Sequence, residues 1–137
     1  MTPHRALALL AALVLAAVSG CRREVGPADR YRAFTAAARE GRADDVWAML
    51  SERSRAELDR RARDLAAKAP PGVVEGSGRA MVLGDLSTAA PRPISVVVVR
   101  ESRDAAVVAV EAEGQPAREV TLVREGGVWR VVVPFDK

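Results

Sequence analysis

Four apolar runs rich in β-branched residues fill the C-terminal part of the chain: Ile94 to Val99, Ala105 to Ala112, Val120 to Val123 and Val128 to Val133. Runs of this length and composition, bounded by Gly, Pro and Asp, read as strands. The connections between them are short. Gly126-Gly127 separates the last two and suits a two-residue turn with positive φ at both positions, while Gly114-Gln115-Pro116 separates the second and third. Such connections cannot make the crossover that parallel strands require. The runs must therefore be antiparallel neighbours in a meander, with one face packed on another layer.

The upstream residues supply that layer. Between Ala28 and Glu40, Tyr31, Phe34, Ala37 and Ala38 recur at three- and four-residue spacings on one helical face, and Gly41 supplies a stop. A second helix is expected from about Ala43 to Leu50, with Asp44 and Asp45 at its positive end and Val46, Trp47, Met49 and Leu50 available for burial. A third is expected to begin near Ser54, where Ser54-Arg55-Ala56-Glu57 has the capping-box pattern. Its inner face would carry Leu58, Ala62, Leu65, Ala66 and Ala69, and Pro70-Pro71-Gly72 would end it. Helices first and an antiparallel sheet second define an α+β fold, with N-terminal helices packed on a sheet of about four strands.

Residues 72–93 resist this scheme. Gly76, Gly78, Gly84, Pro91 and Pro93 interrupt any long element, and Arg79 to Leu83 fits a short strand or one helical turn. The segment reads as a flexible connector or a lid. Gly76-Ser77-Gly78 lacks the Gly-Lys-Ser or Gly-Lys-Thr of a phosphate-cradling loop.

The N-terminus has a different logic. His4 and Arg5 precede an apolar core from Ala6 to Val18, followed by Ser19, Gly20 and the chain's single cysteine, Cys21. A basic start, a short apolar core and small residues make a signal peptide. Its core falls short of the roughly 20 residues that a spanning helix needs. Val18-Ser19-Gly20-Cys21 resembles the bacterial lipobox, in which the cysteine becomes the first residue and carries diacylglycerol, often with a third acyl chain. Two or three chains make such attachment effectively permanent. The resemblance implies residues 1–20 as signal peptide, 21–27 as lipidated tether, 28–137 as a single domain, and Cys21 as the lipid attachment point. Because Arg22, not aspartate, follows the cysteine, it also implies the outer membrane where a cell has two, and the cell envelope in either case.

Composition removes several functions. Without the first 20 residues the chain keeps 20 of its 21 basic side chains against 18 acids, and it loses its one histidine. Mixed charge, with two Trp, one Tyr and two Phe, lacks the basic stripe and stacking aromatics of a nucleic-acid binder. No histidine is left to titrate near neutral pH, so ordinary proton-transfer catalysis has no obvious agent, although a carboxylate with a raised pKa could serve. With only carboxylates left as ligands, no metal site or cofactor is expected; Glu111 and Glu113 would offer at most a weak calcium site. Arg60, Arg61 and Arg63, interleaved with Asp59 and Asp64, read as a solvated helix face.

The stretch from Tyr31 to Leu50, an alanine-rich helix, a glycine and acidic turn, then a helix ending in paired apolar residues, resembles the opening of nuclear transport factor two-like domains. The stretch from Val120 to Val132, with a glycine turn followed by Trp129 and alternating aliphatics, resembles their closing hairpin. The resemblance implies a cone-like, cystatin-like roll with a pocket at its open end. Tyr31, Phe34, Trp47 and Trp129 would line that pocket or, alternatively, pack as core. The expected function is a membrane-anchored envelope lipoprotein with a non-catalytic domain that binds a small apolar ligand or an envelope protein. The alternatives are an enzyme using a buried carboxylate in the cone, and a purely structural component with a filled interior and an exposed apolar patch.

Overall fold

The computed structural model describes residues 23–86 and 92–135, with side chains described up to residue 82 and from residue 92. The expected signal peptide, read as a helix preceding the domain, and Cys21 lie outside the described residues. Among the described residues the fold is α+β: four helices followed by a four-stranded antiparallel sheet.

Helix α1 (Pro27–Arg39) opens with a proline whose missing N–H costs nothing at the first position. It ends where the periodicity predicts. Gly41, at φ +70°, lets its own N–H reach the Ala38 carbonyl at 3.2 Å and the Arg42 N–H reach the Ala37 carbonyl at 2.9 Å, a Schellman stop. Helix α2 (Ala43–Met49) follows at once, with Asp44 and Asp45 in its first turn.

Helix α3 (Glu52–Lys68) starts earlier than the capping-box pattern suggests. Its cap is Ser51, whose side chain accepts from the Ser54 N–H at 3.2 Å, and Ser54 is one turn inside. The cause is tertiary. The Ser51 N–H bonds the Val131 carbonyl at 2.9 Å, which holds Ser51 extended beside the sheet and fixes where the helix can begin.

The segment that resisted sequence reasoning contains a full helix, α4 (Gly78–Leu86), longer than the single turn expected. Gly78 is not a breaker here. A Cβ at this position would lie 2.6 Å from the Asp59 backbone nitrogen and 2.7 Å from the Leu58 carbonyl carbon, so its absence lets α4 begin directly against α3.

Strands β1 (Pro93–Glu101), β2 (Ala105–Ala112), β3 (Gln115–Glu125) and β4 (Val128–Val131) pair in chain order as an open meander. Gly126 and Gly127, at φ +57° and +78°, make the expected tight turn. The earlier turn is tighter than expected: Ala112 pairs with Gln115, so Gln115 and Pro116 belong to β3 and not to the connection. Proline is tolerated because it stands at the strand's start, opposite a register shift between Val110 and Ala112. The β4 edge is partly closed by a parallel bridge between Leu50 and Val131.

One face of the sheet packs on the helices. Val96, Ala106, Val108, Val110, Val120, Leu122, Trp129 and Val131 meet Tyr31, Phe34, Ala37 and Ala38 of α1. Val46, Leu50, Leu58 and Val82 complete this core. Leu65, expected on the inner face of α3, stays 47% exposed. No helix among the described residues is long and apolar enough to cross a membrane.

Candidate functional site

The four aromatic residues expected near a pocket are brought together, as core. Tyr31, Phe34 and Trp129 are 3%, 6% and 1% exposed, and half-buried Trp47 packs against the same cluster. The Tyr31 and Phe34 rings stack with centroids 6.1 Å apart. Tyr31 Oη accepts a 2.9 Å hydrogen bond from Arg118 Nη2. Burial pushes the phenol's pKa up, and the neighbouring Arg118 cation opposes that shift.

A groove lies instead between α3 and α4. Ala62, Leu65, Val73, Val74, Ala80 and Met81 line a cavity of about 320 Å³, with Glu75 at its margin. This space is near the lower end for small-molecule sites and is largely apolar.

A second exposed apolar feature is on the sheet. Inward and outward residues alternate, and the outward set includes Val97 and, on β2, its partner Ala109 with Val107. Ile94, Val97 and Val99 on β1 are 71%, 55% and 45% exposed. Arg100 Nη2 reaches Glu119 Oε2 at 2.9 Å from β1 to β3, spanning β2 where the outward side chains are small. An apolar strip with a charged cross-brace thus lies opposite the helices.

Three further arginines, Arg30, Arg124 and Arg130, are partly buried. Glu24 Oε1 pairs with Arg124 Nη1 at 3.0 Å, and the Arg124 guanidinium lies 4.6 Å from the Trp129 ring centroid. Arg130, the next residue after Trp129, donates to the Ala48 carbonyl at the end of α2. Arg30 stands one turn into α1, its N–H on the Gly26 carbonyl at 2.9 Å. Nε of Arg30, Arg124 and Arg130 are buried without a hydrogen-bond partner. Burial lowers the Arg30 pKa, and the Arg130 charge lowers it further. Among the described residues neither Arg30 nor Arg130 has a carboxylate partner. These residues are spread over about a hundred positions, so no sequence motif joins them.

No carboxylate among the described side chains is buried. Glu57 on α3 is the displaced one: hydrogen bonds from Arg60 and Arg61 hold it down at about 2, so it is ionised and cannot act as a neutral-pH base. Arg60 also bonds Asp64 at 2.9 Å, and Arg61 lies over Phe135 at 4.5 Å. Among the described residues no three His, Cys, Asp or Glu side chains gather as a metal site. No family model, curated protein or solved structure matches the chain.

Proposed function

We propose that this chain is a lipid-anchored envelope protein whose domain binds a protein partner through the outward face of its sheet, without catalysis. The anchor rests on Val18-Ser19-Gly20-Cys21. In this reading the sheet is the curved wall of a cone-like roll akin to nuclear transport factor two-like domains, and Tyr31, Phe34 and Trp129 occupy its interior.

The observation that carries the binding surface is the exposure of Val97 and Val99 on one strand, while the opposite face of the same sheet packs on the helices. Exposed aliphatic side chains in a row are costly in water unless something covers them. A polar surface on β1 would have served the fold equally well.

The small-ligand reading keeps one specific support, the apolar groove between α3 and α4. Photo-crosslinking in intact envelopes separates the two. A photoreactive side chain at Val97 should give a discrete protein adduct, and one at Leu65 should not. Adducts at Leu65 alone, or at neither position, would overturn the sheet-face reading.

A further inference from the structure

We infer that the open edge of strand β1 takes an added antiparallel strand from a protein partner, and that Arg32 holds the place of that strand. This rests on the protein-partner reading above and gives the partner a form. The register fixes which backbone groups are on offer. Gly126-Gly127 is a two-residue turn, so Glu125 and Val128 exchange hydrogen bonds, and bonded and non-bonded pairs alternate from there. Val120, Leu122 and Arg124 thus turn their backbone groups toward β2, as the Arg124 N–H on the Asp104 carbonyl at 2.8 Å shows. The β2 partners of Val120 and Leu122, Val108 and Ala106, face back toward β3, which leaves Val107 and Ala109 to bond β1. Opposite Ala109 stands Val97, so on β1 it is Val96 and Val98 whose N–H and C=O point away from the sheet.

The two edges of the sheet are finished differently. At β4, the Val131 carbonyl accepts from the Ser51 N–H and the Val133 N–H donates to Ser54 Oγ, both at 2.9 Å. At β1, Arg32 Nη2 donates to the Val96 carbonyl at 2.7 Å, and the N–H groups of Val96 and Val98 have no partner among the described residues. A side chain there does what the N–H of a neighbouring strand would do. Pro93 and the register shift between Val98 and Arg100 guard the two ends of β1, but no charge stands between Ile94 and Val99 to guard the middle. The surroundings specify the added strand. Directly opposed residues share a face, so one set of its side chains would lie beside exposed Val97 on the outward side. The other set would lie on the helix side beside Arg32 and Asp29, which pair at 2.8 Å. The partner segment is therefore apolar on one face and polar on the other. A second copy of β1 does not fit, since its Val96 and Val98 would set apolar side chains against that ion pair.

The test uses the full chain in detergent micelles, a short synthetic peptide alternating threonine and valine, and amide hydrogen exchange as the readout. In a strand the N–H groups of alternate residues point to opposite edges. N-methylation of the valines therefore leaves the threonine edge free to pair with β1, with polar side chains toward the helices, and N-methylation of the threonines blocks that edge. The valine-methylated peptide at saturation should slow exchange at Val96 and Val98 by about tenfold. The threonine-methylated peptide should not. Arg32→Ala should bind the first peptide about fivefold more tightly, because no bond to the Val96 carbonyl has to be given up. Val98→Pro removes an edge N–H and leaves the β1-β2 ladder intact, so it should abolish binding, while Val98→Ala keeps the N–H and the binding. No slowing with either peptide, equal slowing with both, or unchanged affinity in Arg32→Ala would overturn the inference. In intact envelopes, a Val97 adduct that survives in Val98→Pro would overturn the edge site and leave the sheet-face reading. Edge protection by the peptide without any Val97 adduct would remove that reading and leave the edge site.

Discussion

The Gly78 N–H donates a 2.8 Å hydrogen bond to Asp59 Oδ1, so a side chain from the charged face of α3 caps the start of α4. The same approach leaves no room for a β-carbon at Gly78. Gly78→Ala must push two backbones apart and should cost about 2 kcal/mol by overpacking. Asp59→Ala removes only the cap and should cost about 1 kcal/mol. Urea denaturation of the two variants gives the order directly; equal losses would mean that the close approach is not maintained.

Ser54 contributes a second such junction. It is 1% exposed, and its Oγ accepts from the Val133 N–H at 2.9 Å and meets Ser51 Oγ at 2.9 Å. Ser54→Ala strands a backbone donor and should cost about 1–3 kcal/mol. Ser54→Cys, with a weak acceptor in place, should recover little of it. The midpoint of thermal unfolding measures both.

Glu57 sets an acid dependence whose sign is fixed. Its folded pKa is held at about 2, below the ordinary glutamate value of about 4.5, by Arg60 and then Arg61. Its stabilising contribution is therefore present above about pH 4.5 and is lost as pH falls toward 2. The ion pairs lie at the surface, Glu57 being only partly buried, so the effect is small and screened by salt. Glu57→Gln should flatten Tm between those pH values at low ionic strength and do nothing at neutral pH in high salt.

Val97→Asp separates binding from stability. Val97 is 55% exposed on the outward face, so a charge there should change stability by less than about 0.5 kcal/mol. Partner crosslinking at neighbouring Val99 should nevertheless be lost. Trp129→Ala, by contrast, removes a buried ring from the core and should cost about 3–5 kcal/mol.

Particular residues show what the sequence could reveal. Tyr31, Phe34, Ala37 and Ala38 are legible as one buried face because an isolated helix already displays the spacing. The strands and the Gly126-Gly127 turn are legible for the same reason: their signals are local. Helix α4 is hidden because Gly78 looks like a breaker until Asp59 and Leu58 of another helix are set beside it. The start of α3 is hidden because Val131, eighty residues away, holds Ser51. The aromatic cluster is visible as a set, but whether it walls a pocket or fills a core depends on how closely the sheet meets α1. Arg30, Arg124 and Arg130 carry no common pattern at all, since only the fold brings α1 to the final hairpin.

The central claim is that Cys21 tethers this domain to a membrane. Intact-mass spectrometry of the native protein, purified from the membrane fraction, tests it most directly. The account predicts a chain beginning at Cys21 that carries the added mass of two or three acyl chains, and no such species in a Cys21→Ser variant. A soluble protein with an unmodified Cys21 would contradict it.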